Sequence, residues 1–156
     1  MTYLSACQVN KKIPEQVSAP QDTVLLVSIE RTPCFGRCPV YKLVIYQNGY
    51  ALRYGRANVS FTGWSEARLS AQQLEEIYQY VQEHKIYDLE EEYVLLRIVD
   101  YPTTITEINI QGRYKRIVNT HPSAPEPLLR WEKFLDSFLN DTIRWKPIAA
   151  PVNSDK

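Results

Sequence analysis

Apolar and polar positions along this chain alternate in short runs, and only two stretches switch to helical spacing. Val24 to Glu30, VLLVSIE, is apolar enough for a central β-strand. Val40 to Tyr46 and Tyr50 to Tyr54 flank Asn48-Gly49, the strongest short hairpin signal, because a type I′ turn needs φ > 0 at both central positions. A two-residue loop there pairs Gln47 with Tyr50, Ile45 with Leu52 and Leu43 with Tyr54. These residues share an apolar face with Tyr41 and leave Lys42 and Arg53 on the wetter face. Val59 to Ala67 reads as a further strand, irregular around Gly63 and Trp64. Thr103 to Ile110 and Tyr114 to Asn119 form a second hairpin around Gln111-Gly112. That register sets Ile110 opposite Arg113 and Glu107 opposite Arg116.

The first helix is marked by Ser70 and Gln73, a Ser-x-x-Gln capping box, with Leu69 and Leu74 at staple positions. Leu74, Ile77, Tyr78 and Val81 make its buried stripe, and it ends near His84. The second helix begins between Ser123 and Pro127 and runs to about Asn140, with Leu128, Trp131, Leu135 and Phe138 as its core face. Between them, residues 86–102 show no clear period. Tyr87, Leu89, Tyr93 and Leu95 are read as anchors of a long loop. The order ββββ-α-ββ-α places the chain in the α+β class, as a single antiparallel sheet of about five to six strands with two helices on one face. Residues 1–23 read as a polar, proline-containing tether, 24–140 as one domain, and 141–156 as a disordered tail with Pro147 and Pro151.

Composition narrows the function classes. A chain of 156 residues buries a core large enough for one domain. Eighteen basic and eighteen acidic residues cancel, so no global field draws in nucleic acid or anionic lipid. Arg53 with Arg56, and Lys115 with Arg116, read as solvated basic pairs on strands. No window is apolar enough for a membrane helix. Leu4-Ser5-Ala6-Cys7 resembles the lipobox of bacterial lipoproteins, in which the cysteine becomes the lipidated first residue. Only Met1-Thr2-Tyr3 precedes it, so either an upstream segment is trimmed or mis-started, or the match is chance. Membrane contact is expected only through such an anchor. A lipidated Cys7 and a Cys34–Cys38 pair would together use all three cysteines. In a cytoplasmic location Cys34 and Cys38 would instead be thiols or ligands.

The two cysteines stand in TPCFGRCPVYKLVIYQNG, residues 32 to 49. This stretch resembles the signature of a bacterial domain family of unknown function, which carries T-P-C-F-G-x-C-P-x-Y before a hairpin strand, often behind a lipoprotein-like N-terminus. The likeness continues through Tyr50 to Gly55, Gly63, Leu69-Ser70, Asp100-Tyr101-Pro102-Thr103-Thr104, and Gly112 followed by Lys115, and covers roughly residues 24–138. The resemblance implies a single α+β domain and an envelope location. It implies no activity.

The cysteines carry three readings. A structural disulfide is favoured: Gly36 lets the chain turn back, and Pro33 and Pro39 stiffen both flanks. Closing so short a loop contributes about 2 kcal/mol in the chain-entropy model. A second reading is Cu(I), held by Cys34, Cys38 and His121; it needs thiolates, and copper-delivery proteins place such cysteines before a helix rather than a hairpin strand. His84 and His121 otherwise read as a helix-terminal and a loop residue. A third is thiol redox exchange, with Arg37 and Arg31 favouring a thiolate. Free buried thiols remain open beside these. The acidic run Asp88, Glu90, Glu91 and Glu92 lacks calcium-loop spacing. Asp100 is placed to turn back onto Thr103 or Thr104, and with Tyr93, Thr103 and Arg37 marks the candidate functional loops. The favoured function is a non-enzymatic cell-envelope domain, without cofactor, that binds a protein, peptide or glycan. The rival is a thiol protein that handles Cu(I) or redox exchange through Cys34 and Cys38.

Overall fold

The computed structural model describes residues 23–94, 101–140 and 142–151. Its elements are β1 (Leu25–Arg31), β2 (Val40–Tyr46), β3 (Tyr50–Ala57), β4 (Gly63–Arg68), α1 (Ala71–Glu83), β5 (Glu92–Tyr93), β6 (Thr104–Ile110), β7 (Arg113–Asn119), α2 (Glu126–Asp136) and β8 (Lys146–Ile148). The strands form one eight-stranded sheet in the order β5-β7-β6-β1-β2-β3-β4-β8. Every neighbouring pair is antiparallel except β5 with β7, which is parallel. The α+β class therefore holds, but the expected five or six strands become eight. The two additions are the edge strands, two and three residues long, too short to show any period. β8 lies in the tail expected to be disordered. Its Pro147 is tolerated because an edge strand has one side without a ladder partner.

The core is built on one face of the sheet. Val27 and Ile29 of β1, Leu43 and Ile45 of β2, Ile108 of β6 and Ile117 of β7 join one buried cluster with both helices. α1 contributes Ile77 and Val81; α2 contributes Leu128, Trp131 and Leu135. The aromatic rings of Tyr80 and Phe134 stack at 4.0 Å and join the two helices directly. The Ser70–Gln73 capping box forms as expected, with both reciprocal hydrogen bonds present.

The first hairpin differs from expectation by one residue. Ile45 faces Ala51 and Val44 faces Leu52, so the connection spans Gln47, Asn48 and Gly49. Only Gly49 has a positive φ, +81°. A turn that ends in a left-handed glycine uses one residue more than a type I′ turn, and a one-residue slip moves each side chain to the other face. Leu52 and Tyr54 accordingly leave the stripe of Leu43 and Ile45. Arg53 takes the place opposite Leu43 and is buried rather than wet. Its guanidinium lies 4.0 Å from the Phe61 ring and 4.6 Å from the Trp145 ring, and donates to the Leu139 carbonyl at 2.8 Å. Gly49 is also needed for space: a Cβ there would stand 3.0 Å from the Leu69 carbonyl oxygen, where the hairpin meets the start of α1. The second hairpin keeps the expected register, with Ile110 opposite Arg113 and Glu107 opposite Arg116.

Candidate functional site

Because β1 and β2 are antiparallel neighbours, residues 32–39 must turn back at one end of the sheet. Cys34 and Cys38 are joined there by a disulfide, with Cα atoms 5.8 Å apart, inside the range a disulfide accepts. The Gly36 amide donates to Cys34 Sγ at 3.2 Å. Asn58 Nδ2, from the β3–β4 connection, donates to the Cys38 carbonyl at 2.9 Å and fixes the far side of the turn. The tip points outward. Phe35 is 89% exposed, and Gly36 and Arg37 beside it are exposed as well.

The candidate loops converge on this end. The Thr32 amide donates to the Thr103 carbonyl at 3.0 Å, and the Thr103 amide donates back to Thr32 Oγ1 at 2.9 Å. The cysteine turn and the segment before β6 are thus sewn together through Thr103. Tyr93 pairs with Asn119 in the adjoining edge, and its carbonyl accepts from the Thr120 amide at 2.9 Å. Its hydroxyl accepts from the Glu90 amide at 2.9 Å, which marks it as a loop anchor. Among the described residues six large apolar side chains are exposed. Three of them, Phe35, Val94 (45%) and Tyr101 (44%), belong to this one end. Asp100 and Cys7 lie outside the described residues, as does Leu95.

Beneath the loops lies a buried polar network. Arg31, the last residue of β1, turns to the helix face. Nε donates to the Tyr41 hydroxyl at 2.7 Å, one Nη donates to Thr104 Oγ1 at 2.8 Å, and the other donates to Asp136 at 2.9 Å. Glu132, one turn before Asp136 on α2, stands 3.5 Å from the same guanidinium and accepts from Asn119 Nδ2 at 2.8 Å. The Tyr41 hydroxyl donates to Asp136. Burial, reinforced by the Asp136 charge, pushes the Tyr41 hydroxyl above its ordinary range. Burial also raises the Glu132 carboxyl; Asn119 and Arg31 pull it back, while the Asp136 charge adds to the rise. Arg31 resists its own desolvation because Tyr41 and Asp136 hold its charge, and its pKa rises. The network joins β1, β2, β6, β7 and α2 under the disulfide turn. It also commits Arg31 to the core, so of the two arginines read beside the cysteines Arg37 is the one exposed.

His121 is held in its own loop: Nδ1 accepts from the Ser123 amide at 3.0 Å, and its amide donates to Asn119 Oδ1 at 2.8 Å. Among the described residues no three His, Cys, Asp or Glu side chains gather as metal ligands. Both sulfurs of the Cu(I) reading are occupied in the disulfide. Sequence reasoning did not find Tyr41, Thr104, Asn119, Glu132 and Asp136. One signal was available: Glu132 lies four residues after Leu128 and three before Leu135, a carboxylate on the apolar stripe of α2.

A family model described as Domain of unknown function (DUF6438) matches residues 25–139. No curated protein matches the chain.

Proposed function

The chain belongs to this family of domains of unknown function, and from the geometry of its disulfide end we infer a non-enzymatic binding domain that holds a protein or peptide partner. The observation that carries the reading is Phe35, a large apolar side chain 89% exposed at the tip of a disulfide-closed turn. Exposing an aromatic ring to water is unfavourable, and pinning its loop removes the entropy that a free loop would lose on binding. An exposed aromatic beside an arginine, with Tyr101 at the same end, is the composition of a protein-binding hot spot. The polar network below gives the loop a rigid base. The reading includes an extracytoplasmic location with Cys7 as a lipid anchor. A disulfide that persists in oxidising compartments supports it.

The test is site-specific photocrosslinking in envelope-bearing cells, with the photoreactive residue at Phe35, at Tyr101, or at the exposed Leu129 of α2 as control. A discrete adduct from positions 35 and 101, absent from 129 and lost from 101 when Phe35→Ala is added, is the expected result. No adduct, or the same adducts from all three positions, would overturn the reading. A lipoprotein signal fused before Cys7 should send the product to the membrane fraction; a soluble product in such cells would remove the anchor.

A further inference from the structure

The opposite end of the sheet carries a second surface feature, independent of the disulfide turn. A groove of about 590 Å³ opens between the C-terminal half of α1 and the β6–β7 turn. That volume falls in the range of small-molecule sites. Its floor is apolar and aromatic: Val81 is buried, and Tyr78, Tyr87 and Ile110 are half-buried. Its rim is polar, with Lys85, Gln111 and Arg113 exposed. Tyr87 is fixed in place. Its hydroxyl donates to the Arg113 carbonyl at 2.6 Å and accepts from the Ile110 amide at 3.2 Å, so its ring is a rigid wall. The Arg113 guanidinium lies 4.1 Å from the centre of that ring.

The backbone adds a second observation. Among the described residues three that are not glycine have a positive φ: Asn58, Lys85 and Gln111. Two of the three line the groove. Lys85, at +49°, follows the end of α1, and Gln111, at +54°, opens the β6–β7 turn. Glycine or asparagine is usual at both kinds of position. The chain instead places an amine and a long amide there, at a cost in backbone energy that strained residues at binding sites commonly carry. Among the described residues neither Lys85 nor Arg113 forms an ion pair. Asp88 also lines the groove. Two cations against one carboxylate leave one net positive charge on the rim.

We propose that this groove binds a small amphipathic monoanion, an aromatic or aliphatic body with a single carboxylate, sulfonate or phosphodiester charge. The apolar body lies on Val81, Ile110 and the two tyrosine rings. The anionic end meets Lys85 and Arg113, and Gln111 supplies an amide donor. Asp88 disfavours more highly charged anions.

The experiment is a fluorescence titration of the folded full chain with 8-anilinonaphthalene-1-sulfonate, an aromatic monoanion, and with neutral N-phenyl-1-naphthylamine. The variants are Lys85→Gly, which suits φ +49° and keeps the fold, and Arg113→Gln, with Phe35→Ala as the distant control. Native near-UV circular dichroism confirms that each variant is folded. The expected result is saturable binding of one equivalent of the anion, at least tenfold tighter than the neutral analogue. Lys85→Gly and Arg113→Gln should each weaken it at least fivefold, and Phe35→Ala should leave it unchanged. Absence of saturable binding, equal binding of the neutral analogue, or affinities within twofold in both groove variants would overturn the proposal. So would an equal loss in Phe35→Ala, which would place the anion at the other end.

Discussion

Arg31→Met removes the centre of the buried network and leaves its two carboxylates side by side, one turn apart on the same face of α2. Three hydrogen bonds from a charged donor disappear, to Tyr41, Thr104 and Asp136. Each such bond contributes about 1.5–3 kcal/mol in isolation, but they share one donor and do not add. The larger loss is electrostatic. The Glu132 side chain is only 5% exposed and keeps no other ion-pair partner among the described residues, whereas Asp136, at 32%, can be hydrated. Breaking a buried pair in this way costs about 3–5 kcal/mol. At roughly 4 °C per kcal/mol for a domain of this size, Tm should fall by about 12–20 °C. The pH dependence follows in sign. Burial already raises the Glu132 carboxyl, and loss of Arg31 raises it further. A folded-state pKa above the unfolded value means stability is present at low pH and lost as pH rises through the folded value. The deficit of Arg31→Met should therefore be greatest at neutral pH, shrink as pH falls through the raised folded-state value, and be smallest below about pH 4, where the unfolded carboxyl is also protonated. Adding Glu132→Gln removes the stranded charge and keeps an acceptor for Asn119, so it should recover about 2 kcal/mol in urea denaturation. A loss below about 1 kcal/mol in the single variant, or strict additivity in the double, would refute the assignment of Arg31 as the countercharge of Glu132.

Three further predictions rest on separate parts of the fold. Replacing Cys34 and Cys38 by serine should lower stability by about 2 kcal/mol, the chain-entropy value for so short a loop, and reductant should then cease to shift the denaturation midpoint of the protein. Gly55→Ala should cost about 3 kcal/mol or prevent folding, because its Cβ would stand 2.1 Å from the Phe61 carbonyl oxygen; soluble yield and thermal melting report it. Tyr114→Phe should cost about 0.5–1 kcal/mol at neutral pH, the low end for a half-exposed hydrogen bond. Burial disfavours the Glu107 carboxylate, but hydrogen bonds from Tyr114 and Ser28 outweigh it and lower its pKa. Its stabilisation is therefore present above the ordinary carboxyl range, and the Tyr114→Phe deficit should begin to shrink near about pH 4 and vanish once pH falls through the lowered folded-state value. Spectrophotometric titration should show the Tyr114 phenol, pushed up to about 12 by that hydrogen bond and by burial, returning toward 10 in Glu107→Gln.

Local chemistry decided much of this protein before any packing. Ser70 and Gln73 cap α1 wherever that helix lies, since the box needs only one turn of backbone. The apolar stripe of α2 and the register around Gln111-Gly112 follow from period and turn length alone. The Cys34–Cys38 closure was permitted rather than decided there: Gly36 between two prolines lets the Cα atoms approach, but the metal and thiol readings stayed open until the structure joined the sulfurs. Tertiary structure decided what depends on partners distant in the chain. Whether Asn48-Gly49 makes a two- or a three-residue connection was settled where Gly49 meets Leu69, and that one residue sent Arg53 inward between Phe61 and Trp145. β5 and β8 exist only because β7 and β4 offer edges to pair with; two or three residues have no strand signal of their own. The candidate site has the same division. The sequence marks Cys34, Arg37 and Thr103 as unusual loop residues, but only the antiparallel pairing of β1 with β2 and β6 brings their loops to one end of the sheet, and only the fold shows Phe35 exposed there. The network of Arg31, Tyr41, Glu132 and Asp136 spans 105 residues of chain, and a charge pair at that separation leaves no periodic trace until folding closes it.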